Sequence, residues 1–202
     1  LMSINDNAAT RHRFLLRASG TVAGDPVRAV TTDGGGSAVA ASTSGFTTST
    51  WFHAAAVFSA IDARAAYFNG GSEGTNATSR TPSGLVRTFI GADNEGVSTP
   101  HELTAGQIAE AAIWNVALSV AEIASLGLGV SPLLVRPESL VAYWPLIGRY
   151  SPETDPVGAF DLTVTGATYT DHPRIIYPRR SRVWQPAAVA GSLRRLLLLG
   201  AG

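Results

Sequence analysis

At 202 residues, 45% hydrophobic and 15% charged, with 21 Gly and 11 Pro, the chain has the composition of a globular protein rather than a disordered tail. A chain of this length buries roughly 70% of its unfolded surface, so its core needs no metal or disulfide staple; the lack of cysteine also removes thiol nucleophiles and Cys-ligated zinc. Fifteen arginines balance fifteen acids, without the basic excess of a general nucleic-acid binder, and no apolar run approaches the roughly 20 residues that span a bilayer, so neither nucleic acid nor membrane is an expected partner.

In chain order, Asn5, Asp6 and Asn7 interrupt the N-terminus before an apolar segment can form, so no secretory leader is expected. Turn clusters at 24–26, 33–36, 69–71 and 82–84 then separate short apolar runs, the punctuation of an all-β sandwich or barrel. The predicted strands are 13–18, 27–32, 37–41, 51–58, 64–69, 86–91 and 107–114. Residues 51–58 are apolar at both parities, which predicts a central strand covered on both faces. Asn69-Gly70 tolerates positive φ and predicts a tight hairpin turn.

A short helix is predicted over 120–126. Ser119 stands at the N-cap and Glu122 at N3 of a capping box, Leu118 is placed to staple onto Ile123, and Gly127 suits a left-handed stop. Two further strands are read at 140–146 and 160–166, with Pro145 ending the first.

The zero net charge hides a division. Residues 1–170 hold 9 Arg and 14 acids, a balance of −5, while residues 171–202 hold 6 Arg and only Asp171, a balance of +5. The chain is therefore read as a sandwich domain over 1–170 and an Arg- and Leu-rich C-terminal arm over 171–202. Apolar residues interleave the arginines, so the arm is expected to pack on something. Arg174, Arg179, Arg180, Arg182, Trp184, Arg194 and Arg195 are its anchor candidates; wrapping of the arm around its own domain is the competing expectation.

Several motifs share the order of a known family. They are Trp51-Phe52-His53-Ala54-Ala55-Ala56-Val57, Tyr67-Phe68-Asn69-Gly70, Ile90-Gly91, residues 106–115, and Ala117-Leu118-Ser119 with Glu122-Ile123 and Leu126. Together they resemble the laminin-G-like, concanavalin A-type lectin and pentraxin superfamily of antiparallel jelly-roll sandwiches. The stretch from Ser131 through Leu140-Val141-Ala142-Tyr143-Trp144-Pro145-Leu146 to Pro173 is similar to the C-terminal region of laminin-G-like proteins encoded by tailed phages and prophages. The motif at 140–146 with 162–167 resembles what commonly opens such a jelly roll, yet here it follows the helix. A permuted strand pair closing the sandwich beside the N-terminal segment is expected.

Glycan-binding members of the family commonly hold calcium at one rim. The nearest candidates here are Asp93, Asn94 and Glu95, with Asp62 or Asn69 from the preceding hairpin. Calcium takes six to eight oxygens, so this loop alone cannot fill a site, and an exposed turn is the competing reading. In a regular strand, Glu110 shares a face with Ile108, Ala112 and Trp114 and would line a carbohydrate groove, against the plainer reading of a paired carboxylate at the sandwich edge. The Glu-x-Asp-x-x-Glu pattern of laminarinase-type hydrolases does not occur, so no enzymatic activity is expected. His53, on an apolar strand, reads as a hydrogen-bonded core residue. The resemblance and the charge division lead to the expectation of a non-enzymatic virion protein of a tailed phage. It would be displayed on the particle surface, as capsid decoration before tail, and anchored by its arm to other virion proteins or to copies of itself. The alternative is a glycan-binding adhesion module, with calcium as its possible cofactor.

Overall fold

A computed structural model describes residues 1–6, 11–93, 102–148 and 151–178. In chain order its elements are β1 (Met2–Asn5), β2 (His12–Ala18), β3 (Pro26–Asp33), β4 (Ser37–Gly45), β5 (Ala54–Ala60), β6 (Ala63–Phe68), β7 (Gly71–Asn76), β8 (Arg87–Ile90), β9 (Ala111–Trp114), α1 (Val120–Gly127) and β10 (Leu140–Trp144). All strand pairs are antiparallel. A five-stranded sheet in the order β4-β3-β2-β1-β8 is overlaid by a three-stranded sheet, β5-β6-β7, and by the β9-β10 pair. This is the jelly-roll sandwich class expected from the sequence.

Burial explains the layering. Ala29 of β3, Ala40 of β4 and Ala66 of β6 meet between the sheets, with Ala56 and Phe58 of β5 beside them. On the outer side of β6, Ala65 and Tyr67 pack under Ile123 of α1, which is completely buried. β6 is thus covered on both faces and is the central strand of its sheet. β5, expected to be central, lies at that sheet's edge: Ala55 and Val57 are half-buried against the cluster around Ile123, so its second apolar face reflects a cover from above rather than a strand at each side.

The β6–β7 connection is the predicted turn. Asn69 (φ 50°) and Gly70 (φ 75°) both occupy the left-handed region, giving the mirror-image turn that matches strand twist. α1 carries the full capping box: Ser119 Oγ accepts the Glu122 N–H, and the Glu122 carboxylate accepts the Ser119 N–H at 2.7 Å. Gly127, expected as the left-handed stop, is instead the last helical residue, and Gly129 (φ 82°) takes that conformation. Gly127 serves close approach: a methyl group there would lie 2.6 Å from Gly70 Cα, so a glycine on each side lets the helix rest on the hairpin turn.

β10 pairs with β9, and Ala111, Ala142 and Trp144 form a cluster against which Met2, Ile90, Leu146 and Leu162 pack. The late strand thus packs over the N-terminal one, but paired with β9 rather than as the expected strand pair with 160–166. The strand expected at 160–166 is not formed; only Leu162 bridges, to Glu153. The nearby backbone is organised around Asp155, whose carboxylate accepts the N–H groups of Tyr143, Val157 and Phe160. Against the cost of desolvation, these bonds hold its pKa below the ordinary carboxylate value.

Residues 171–177, the start of the arm, lie on the body. Ile176 donates its N–H to Gly129 O (2.8 Å) and accepts the Ser131 N–H (3.0 Å), while Arg174 is exposed. The remaining anchor candidates, Arg179, Arg180, Arg182, Trp184, Arg194 and Arg195, lie outside the described residues.

Candidate functional site

Among the described residues, the rim positions singled out as calcium candidates, Asp62, Asn69 and Asp93, form no metal cluster. Asp62 and Asn69 sit in the turns at opposite ends of β6, roughly 20 Å apart for six residues at 3.3 Å each. Asn69 is committed to the fold: its Oδ1 accepts the His53 N–H (3.0 Å) and its own N–H donates to His53 O (2.9 Å). Asp93 is buried and ion-paired with Arg13 of β2. Asn94 and Glu95 lie outside the described residues. Among the described residues no group of three or more His, Asp or Glu is placed to hold a metal.

His53 differs from its expectation in one respect. Its main chain is bonded to Asn69, but its ring Nδ1 is buried without a hydrogen-bond partner. Burial pushes its pKa down to about 4, so the ring is neutral at pH 7.

Glu110 is the paired carboxylate of the plainer reading. Its Oε2 accepts the Tyr143 hydroxyl and its Oε1 the Tyr177 hydroxyl, each at 2.8 Å, and His172 Nε2 lies 3.3 Å from Oε1. Desolvation raises the Glu110 pKa in spite of these partners, and the Tyr177 hydroxyl is pushed up to about 12, first by burial and then by the carboxylate. The regular strand expected from 107 begins only at Ala111, because Glu110 adopts φ 57° and turns out of the alternation with Ile108. Its role is to clasp residues 172 and 177 of the C-terminal segment to the body.

An open site lies at the end of the sandwich where β5 turns into β6. A cleft of about 210 Å³ is lined there by Phe14, Phe58, Ile61, Arg80 and Pro82, with Ser59, Ala60 and Thr81 at its sides. Phe14 of β2 and Phe58 of β5 meet with ring centroids 4.7 Å apart at 50°, one from each layer, and both are half-buried. Ile61 is 58% exposed. The segment carrying Arg80 is pinned by Arg80 N–H to Ile61 O (2.9 Å), Thr81 N–H to Asp33 Oδ2 (3.1 Å) and Ser83 N–H to His12 Nδ1 (2.8 Å). The Thr81 bond, with a further one from Gly35 and the nearby Arg80 charge, holds Asp33 below its ordinary pKa. An apolar floor formed by two aromatic edges, with a cation and hydroxyls at the rim, can take a flat ligand that has one apolar face and polar edges. Nothing local in the sequence announced this cleft, since Phe14, Phe58 and Arg80 are far apart along the chain.

Residues 2–124 match the family model described as the concanavalin A-like lectin/glucanases superfamily, of laminin-G type. The chain belongs to this superfamily. The match runs from β1 into α1, so within this lectin/glucanase-like protein β10 lies beyond the matched part, although it completes the same sandwich. No curated protein and no solved structure matches the chain. The fold is that of a carbohydrate-binding type of module, and the cleft opens at one end of its two layers.

Proposed function

We propose that this protein is a non-catalytic carbohydrate-binding module whose sugar seat is the cleft between Phe14, Phe58 and Ile61. The observation that carries the reading is the half-buried aromatic pair lining an open cleft at the end of a lectin-type sandwich, a surface against which the apolar face of a sugar ring can lie. Glycoside hydrolysis by the usual route needs two carboxyl groups flanking one bond. Asp33, beside the cleft, spends both oxygens on backbone N–H groups, and Asp62 stands in the neighbouring turn. Because the cleft is lined by Phe14, Phe58, Ile61 and Arg80 and by no carboxylate, binding in it is expected to be independent of calcium. On a glycan array, wild-type protein should be retained equally with calcium or chelator. Ile61→Asp, at an exposed position, should lose at least tenfold in affinity with an unchanged melting temperature. A flat array would overturn the reading, and calcium-dependent retention would move the seat away from this cleft.

A second reading concerns where the module is displayed. The phage-like stretch from 131 to 173 and the +5 charge of residues 171–202 beside a −5 body support attachment to a tailed-phage particle. Residues 171–177 are bound to the body, so the anchor is assigned to the chain after Pro178. Truncation after Pro178 should leave the melting temperature unchanged and abolish incorporation into particles. Normal incorporation would remove the anchoring role.

A further inference from the structure

We infer that the cleft at the β5–β6 turn selects a carboxylate-bearing sugar, a hexuronate residue of a glycan, with its ring on the Phe14–Phe58 pair and its carboxylate on the Arg80 guanidinium. The inference rests on the carbohydrate reading above and narrows it to a ligand class.

Arg80 is held in place and ion-paired at long range with Asp33, but its side chain makes no hydrogen bond among the described residues. Its backbone N–H is tied to Ile61 O at 2.9 Å, which sets the side chain beside the cleft. Its Nε is enclosed by protein and out of a ligand's reach, whereas the side chain is 25% exposed and its Nη1 and Nη2 donate to no acceptor among the described residues, so the donors on offer are the Nη pair. The nearest carboxylate is Asp33, whose Oδ1 lies 3.9 Å from Nε, beyond hydrogen-bond range. Asp33 cannot readily turn to meet it, because Oδ1 already accepts the Gly35 N–H and Oδ2 the Thr81 N–H, each at 3.1 Å.

The guanidinium lies close against the backbone at Gly36. A methyl group at Gly36 would lie 2.8 Å from Arg80 Nη2, and Gly36 has φ 148°, a conformation that L side chains rarely adopt. A glycine at this position thus leaves room for a planar cation beside a cleft. The neighbouring cation, Arg64, is already spent on Thr31, Asn76 and two carbonyls, so Arg80 is the guanidinium with donors to offer.

A guanidinium presents paired N–H donors in a plane, which matches a carboxylate in bidentate fashion. The charges around the cleft, Arg64 and Arg80 against Asp33 and Asp62, balance. Recognition therefore comes from this direct bond rather than from a diffuse positive field. The volume of about 210 Å³ falls below the roughly 300–1,000 Å³ of drug-sized sites, so the cleft takes one ring rather than a run of sugars.

The test is calorimetric titration of the whole chain with oligogalacturonate, an uncharged oligosaccharide of similar length, and a sulfated oligosaccharide. Wild type should bind oligogalacturonate at least tenfold more tightly than the uncharged probe. Arg80→Gln should remove that preference with an unchanged melting temperature, and Arg80→Lys, which keeps the charge but not the fork, should restore only part of it. Equal binding of charged and uncharged probes, unaffected by Arg80→Gln, would overturn the inference while leaving the carbohydrate reading intact. Tighter, Arg80-dependent binding of the sulfated probe would overturn the carboxylate assignment. Binding of none of the three would overturn the inference, and only a flat glycan array would end the broader reading as well.

Discussion

Trp144→Ala is expected to destabilise the protein by about 3–5 kcal/mol, the range for removing a large aromatic side chain from a packed core. Trp144 is 2% exposed, packs with Ala111 and Ala142, and has Met2, Ile90 and Leu162 around its cluster. Its indole N–H donates to Phe160 O at 2.7 Å. Truncation would therefore leave both a cavity and an unpaired carbonyl, and at roughly 2–4 °C per kcal/mol for a chain of this size the melting temperature should fall by about 6–20 °C. Trp51→Ala is the control. Trp51 is 41% exposed, and its loss should cost less than about 1 kcal/mol. Urea denaturation of the two variants decides the matter: equal, small shifts would mean that β9 and β10 are an appendage rather than the closing layer of the sandwich.

Arg64→Met is the second large effect, with an expected loss of about 2–4 kcal/mol. Arg64 lies on the central strand β6, is 3% exposed, and points between the layers. Its Nε donates to Thr31 Oγ1 (3.1 Å), its Nη1 to Asn76 Oδ1, and its Nη2 to the carbonyls of Ile61 (2.9 Å) and Thr78 (2.7 Å). Methionine replaces the apolar stem but none of the donors. Thr31 can turn its hydroxyl, Ile61 O keeps the Arg80 N–H, and Asn76 Oδ1 keeps the Thr78 N–H (3.0 Å), so the main cost falls on Thr78 O. Bonds to a charged group contribute about 1.5–3 kcal/mol each, and relief of the buried charge offsets part of their loss. Because Arg64 ties the β5–β6 turn to the strand leading to Arg80, the variant should also weaken ligand binding at the cleft. A urea midpoint equal to or above that of wild type would show that this polar staple adds no net stability.

Local signals carried much of the fold. Ser119 and Glu122 set the start of α1 through groups three residues apart, and Asn69-Gly70 set a turn through its own φ preferences; both appear as read. β2, β3 and β4 were visible because apolar residues recur at strand period between glycine-rich turns. β7 was not: Gly-Ser-Glu-Gly-Thr-Asn has no apolar stripe, and it is a strand because β6 offers a ladder and because Gly74 permits close approach to Ala41 of β4. The reverse error came at 160–166, where alternation without a neighbouring edge to pair with produced a loop around Asp155.

The sequence by itself determined the all-β class, the capped helix, the hairpin turn and the existence of a late strand near 140–144, since each rests on residues close together in the chain. Only the tertiary structure decided which strand is central, that Glu110 is a clasp rather than a groove residue, and that Asp62, Asn69 and Asp93 stand apart. It also decided that Phe14, Phe58 and Arg80 share one cleft. Those facts depend on contacts between residues tens of positions apart, and a one-dimensional pattern of apolar and polar residues says which side chains must be covered without saying what covers them.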